Sequence, residues 1–176
     1  IVYTDLCLEI TTLTSPDIAF IPLFERLLLE VDNANHTRVD FSRVINAKTG
    51  GLRVTHTVIT PTVESPEVRV AYDTAARLFI TLRGKCTTES INDLFQIVRV
   101  ALFTANLDDR ARIIEILRET VSDFKAKVTS SGHIFVASTI GAQGTTVDSL
   151  NEKLAGISAF RATERILELA DTDDTY

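Results

Sequence analysis

The chain has 176 residues, 45% of them hydrophobic and 24% charged, which suits one globular domain able to bury roughly two thirds of its unfolded surface. A net charge of −6 argues against nucleic acid or an anionic membrane as the main partner, and no apolar run approaches the roughly 20 residues of a membrane span. There is no methionine, no secretory or Arg/Ser-rich leader is visible, and the first residues already read as strand, so the simplest expectation is one domain cut from a longer polypeptide.

Residues 1–10 place Val2, Leu6, Leu8 and Ile10 on one parity, interrupted only by Thr4, with Tyr3, Asp5 and Glu9 on the other. That is a half-buried strand with Cys7 on its less apolar side. Ser15-Pro16-Asp17 supplies a helix start: a capping hydroxyl, a proline in the first turn and an early carboxylate. Pro22 predicts a kink or restart, because it cannot donate to the preceding turn. Beyond it Phe20, Leu23, Phe24, Leu27, Leu28 and Val31 share one helix face, and Glu25, Arg26 and Glu30 are expected to face away.

After a turn at Asp32-Asn33-Ala34-Asn35, Val39, Phe41, Val44 and Ile45 recur at helical spacing as far as Lys48-Thr49-Gly50-Gly51. Across those glycines the hydrophobic period switches from 3.6 to 2. Glycine tolerates positive φ, so Gly50 and Gly51 can end a helix and begin a strand within two residues. The strand alternates Leu52, Val54, His56 and Val58 with Arg53, Thr55, Thr57 and Ile59. Ser65-Pro66 reads as loop, and Val68, Val70 and Tyr72 as an ambiguous extended run. Leu78, Ile80 and Leu82 then mark a further strand, so residues 60–77 become an elaborated connection within an antiparallel pair.

From Thr88 onward the pattern is helical. Ile91, Leu94, Phe95, Val98, Ala101 and Leu102 form one stripe, closed by Asn106. Asp108 is the expected cap of the next helix, which carries Ile113, Ile114, Leu117, Val121, Phe124 and Val128, with Arg112, Glu115, Arg118 and Glu119 outward. Ser130-Ser131-Gly132-His133 predicts a bend or break. An apolar segment follows as far as Gly141 and Gly144, then a short helix ending at Gly156, a last helix through Phe160, Ile166, Leu167 and Ala170, and an acidic tail. A β-α-α-β-β order followed by helices alone defines the α+β class. The expected architecture is a two-layer α/β sandwich with a mostly antiparallel sheet and helices on one face.

Cys7 and Cys86, without a C-x-x-C spacing, read as buried free thiols. Neither H-E-x-x-H nor H-x-x-E-H is present, and no G-x-S-x-G, Walker or Rossmann fingerprint appears. His36 lies in a turn and is expected to be exposed. His56, on the apolar parity of its strand, reads as a core or interface histidine, and His133 reads as packing or capping. A Ser131/His133 hydrolase pair would lack a third, orienting group. The residues alone assemble no active site.

The order Ile1-Val2-Tyr3-Thr4-Asp5, Ile21-Pro22-Leu23-Phe24, Leu27-Leu28-Leu29-Glu30 and Lys48-Thr49-Gly50-Gly51-Leu52 resembles the pitrilysin/insulinase family of zinc metallopeptidases, in the branch that contains presequence protease and falcilysin. Arg83-Gly84-Lys85, Asp108-Asp109-Arg110, Ser131-Gly132-His133 and Gly156-Ile157 continue the match. The resemblance implies the third of four similar domains in a clamshell peptidase. Zinc belongs to another domain of that enzyme, and no catalytic or metal-binding residue carries over to this chain. It further implies a chamber-walling role with the other domains of the polypeptide and peptide substrates as partners. The implied location is an organelle lumen or matrix, mitochondrial or plastid-like. Gly50, Gly51, Ser131, Gly132 and His133 are then structural or interface residues, and no substrate-binding residue is assigned. An acidic wall attracting Arg-rich presequences is one expectation. The alternative is a scaffold module of the same fold with no peptidase role.

Overall fold

The computed structural model describes residues 1–14, 16–60 and 76–172. The expected cap at Ser15, the Ser65-Pro66 loop, the run through Val68, Val70 and Tyr72, and the tail residues Asp173 and Asp174 lie outside that set. The three alternating stretches become strands β1 (Val2–Ile10), β2 (Leu52–Ile59) and β3 (Arg77–Cys86). β3 lies between the other two and runs antiparallel to both, with Leu6 opposite Leu82 on one side and Val54 opposite Leu82 on the other. The even-numbered residues of all three strands therefore share one face, as a period of two requires.

Six helices accompany the sheet among the described residues: α1 (Ile21–Glu30), α2 (Arg38–Lys48), α3 (Ile91–Thr104), α4 (Arg110–Gly141), α5 (Thr146–Ala155) and α6 (Ile157–Thr172). The expected restart at Pro22 is a 3-10 turn, Asp17–Phe20, that hands over to α1 with the proline in its first turn. Thr37 caps α2 and Thr145 caps α5 in the same way. Each hydroxyl accepts from the backbone N–H three residues on and donates to the side chain of that residue, Asp40 or Asp148. Such a cap contributes about 1 kcal/mol. The cap of α4 is Asp109 rather than Asp108, its carboxylate accepting from Arg112 N–H at 3.0 Å. The expected interruption falls at Ser131, whose backbone leaves the helical region at φ −139°.

The core lies between the even face of the sheet and the helices. Ile21 and Leu28 of α1, Val54 of β2, Leu78, Ile80 and Leu82 of β3 and Leu154 of α5 form its main cluster. Burying each such side chain contributes roughly 1.5–3 kcal/mol. Leu27 and Val31, on the adjoining flank of α1, pack against Ile116 of α4, while Phe41 and Ile45 pack against Ile97 and Ala101. Helix α1 is thus enclosed from two sides. Its polar residues do not all face away as its apolar stripe suggests: Glu25 is held at the sheet, and Arg26 and Glu30 turn toward α4. Arg112, expected outward, is only 11% exposed at its side chain. Cys86 is buried, but Cys7 lies exposed on the odd face, so the reading of two buried thiols holds for Cys86 alone.

Candidate functional site

The residues singled out by sequence sit on separate elements. Gly50 and Gly51 form the turn between α2 and β2. Gly51 has a φ of +116°, a conformation that side-chain-bearing residues rarely adopt. Gly50 N–H donates to Lys85 C=O at 2.7 Å, and Gly51 N–H donates to Thr49 Oγ1 at 3.0 Å. Both amides are therefore occupied within the chain, which ties this turn to the end of β3 and leaves no N–H pair to cradle an anion. Ser131, Gly132 and His133 lie at the bend of α4, with His133 exposed. No hydrogen bond or ion pair among the described residues joins them to Gly50 or Gly51.

The histidines are dispersed as well. His56 Nδ1 lies 3.0 Å from Glu25 Oε1, in a part-buried contact that pins α1 to β2 and satisfies the polar atom that the strand pattern turns inward. His36 is half-buried against Phe41, with ring centroids 6.1 Å apart, rather than exposed. Burial of its ring follows from the tight turn at Asn33, whose side-chain oxygen accepts from the backbone N–H groups of Asn35 and His36. Among the described residues no group of three His, Cys, Asp or Glu side chains could hold a metal ion. The described donors are not gathered as a zinc centre requires.

Polar side chains instead concentrate where α1 meets α4. Arg26 donates to Glu30 and Glu119 at 2.7 Å each, to Thr120 Oγ1 at 2.8 Å and to the Ile116 carbonyl. Arg112 reaches the Glu30 carbonyl at 3.0 Å and Glu115 at 2.7 Å. The hydrogen bond from Arg26 holds the Glu119 carboxyl below its ordinary range. Those to Glu30 and Glu119 raise the guanidinium of Arg26 despite its partial burial. Two arginines sharing three carboxylates form a clamp between helices, and no group in it is a nucleophile poised beside a base. Sequence periodicity missed the clamp because Arg26 and Glu119 lie far apart in the chain.

None of the helices among the described residues supplies a core cluster on the odd face of the sheet. That face presents Tyr3, Asp5, Cys7 and Glu9 from β1, Arg77, Phe79, Thr81, Arg83 and Lys85 from β3, and Arg53, Thr55 and Thr57 from β2. Four cations (Arg53, Arg77, Arg83 and Lys85) stand there against two carboxylates, Asp5 and Glu9. Arg53 and Arg83 lie directly opposite each other, an unfavourable pairing of like charges. Arg83 is drawn the other way by two hydrogen bonds to Asp5, at 2.8 and 2.7 Å, and these hold Asp5 below the usual carboxylate range. Beside this pair a hollow of about 210 Å³ is lined by Tyr3, Gly50, Gly51, Arg53, Arg83 and Lys85. The acidic wall expected to attract Arg-rich presequences is not formed by the strand residues of this face.

A family model for the domain associated with the peptidases of metallopeptidase family 16, subfamily C, matches residues 1–166. The chain is 24% identical over 173 residues to "Presequence protease 1, chloroplastic/mitochondrial" of Arabidopsis thaliana, covering 98% of this chain and 15% of that protein. It is 22% identical over 152 residues to "Presequence protease, mitochondrial" of Danio rerio, covering 86% of this chain and 14% of that protein. The chain thus spans about one seventh of the length of these relatives.

Proposed function

The chain belongs to the peptidase-associated domain family of metallopeptidase family 16, subfamily C, and from this we infer that it is a non-catalytic, chamber-forming domain of a zinc metalloendopeptidase that degrades short unfolded peptides. The observation that carries the reading is the pairing of a match over residues 1–166 with relatives, named as proteases, about seven times longer. A domain that occupies so small a share of a protease and offers no metal-binding group among its described residues serves the reaction through shape.

The sheet suggests how. Its even face backs onto the core along β2 and β3, while its odd face is broad and rich in hydroxyl and charged groups, suited to bordering a water-filled space. In this reading the helical layer backs the wall and the odd face looks into the chamber. Zinc, held by another domain, would supply the activated water and polarise the scissile carbonyl when bound. The residues of this chain exclude bulk solvent and hold neighbouring domains in position. The names of the relatives favour an organelle, mitochondrial or plastid-like.

The test compares the full-length polypeptide, supplied with zinc, with a form lacking residues 1–176, using Arg-rich presequence peptides as substrates. The full-length form is expected to cleave them and the shortened form to lose that activity. Equal cleavage by both forms, or cleavage by residues 1–176 alone, would overturn the reading. Absence of an H-x-x-E-H motif from the rest of the reading frame would favour the scaffold alternative.

A further inference from the structure

The outer edge of β1 and the apolar groove beside it are the least accounted-for surface of the molecule. β1 is nine residues long and among the described residues pairs on one side only, with β3, so alternate backbone N–H and C=O groups along its outer edge have no partner strand among those residues. Long, uncovered edges with apolar side chains promote uncontrolled association, and proteins cover, charge or break them. β1 contains no proline or lysine, and the pairing shows no bulge. Its core-facing residues are left short of cover: Leu6 is 37% exposed and Leu8 is 40% exposed, although each stands opposite a buried residue of β3.

The groove continues that surface. It measures about 630 Å³ and is walled by Leu8, Ile10, Leu13, Phe20, Phe24 and Leu102. Leu13 and Phe20 are themselves more than two-fifths exposed. An unpaired edge calls for a strand, and an apolar trough flanking it on one face calls for that strand's alternate side chains to be apolar. Resting on the reading of this chain as one domain of a longer protease, we propose that a β-strand from elsewhere in the same polypeptide, outside residues 1–176, pairs with the outer edge of β1. Its apolar residues fill the groove and its polar residues extend the odd face. The relatives' length makes this the occupant of choice: about six sevenths of those polypeptides lies outside the matched region, tethered to it and therefore at high effective concentration.

The experiment uses the full-length polypeptide. Hydrogen exchange resolved along β1 should find successive amides from 3 to 10 protected, not alternate ones. A photo-reactive residue placed at Leu8 should capture a segment of the same molecule outside residues 1–176. Exchange at the solvent rate in alternate β1 amides, capture joining two copies, capture of added peptide substrate alone, or no capture would each overturn the proposal. Leu8→Lys should abolish protection of the alternate amides while β3 stays protected; unchanged protection in β1 also overturns it. Should that variant lose β3 protection as well, the photo-capture result decides. Peptide cleavage measured on the same preparation separates the two readings. Cleavage with an exposed edge removes only the strand proposal, and a covered edge without cleavage removes only the peptidase role.

Discussion

Leu82 has two neighbours across the sheet, Leu6 of β1 and Val54 of β2, and both point to its own face. Val54 is 8% exposed and Leu6 is 37% exposed. The strands carry comparable alternation, so the difference comes from what lies above them. Helices α1 and α5 pack over β2, with Leu28 and Leu154 in the same cluster as Val54. β1 shares its extensive contacts with β3 alone. Alternation in a strand specifies which face can be buried, and the position of the helices specifies whether it is.

The sharpest way to break this contrast is to truncate both sides of it. Leu82→Ala should cost about 2–5 kcal/mol, the range for an enclosed leucine, read by chemical denaturation of the chain. Leu6→Ala belongs at the other end of the scale. A cost for Leu6→Ala equal to that of Leu82→Ala would show that β1 is as well covered as β2.

Next in size is the joint that brings α5 over β2. A Cβ at Gly156 would lie 2.7 Å from the Glu152 carbonyl oxygen and 2.9 Å from its carboxylate, which itself accepts from Ser158 N–H at 2.9 Å. The backbone must shift to admit it. Gly156→Ala is therefore expected to destabilise by about 1–3 kcal/mol, as overpacking does. Amide exchange should rise in α5 and β2 and stay unchanged in β1. Equal loosening of both edge strands would contradict the division drawn here.

A smaller effect follows from acid. Glu119 has its carboxyl lowered by the hydrogen bond from Arg26, so the folded state binds a proton less readily than the unfolded chain. Its contribution is complete above the ordinary carboxylate range and is lost as pH falls through the lowered folded value. Stability of the α1–α4 contact should fall across that window, and Glu119→Gln should flatten this part of the profile. An unchanged acid limb in Glu119→Gln would mean that the pair contributes nothing. The smallest effect is that of Leu6→Ala, below about 1 kcal/mol in this chain, since the side chain already keeps over a third of its surface in water.

Much of the fold was legible in advance because it is written in local periodicity. The α+β order, the three described strands, the restart at Pro22, the bend at Ser131 and the turn at Gly50 and Gly51 each depend on neighbouring residues and on backbone geometry. The peptidase family was legible from the order of short motifs. Asp109 in place of Asp108 as cap is a shift of one residue, decided by which carboxylate reaches Arg112 N–H. The residues chosen as structural or interface positions are harder to judge from pattern, because an interface is defined by what meets it.

Amphipathic pattern alone determined the face each strand and helix can bury, since a period of 2 or 3.6 acts over a few residues. Tertiary structure alone decided that Glu25 meets His56, that Arg26 closes onto α4 and Arg112 onto α1, that Cys7 stays in solvent and that the outer edge of β1 meets no strand among the described residues. Those outcomes depend on contacts between residues distant along the chain, whose geometry exists only once the layers have packed.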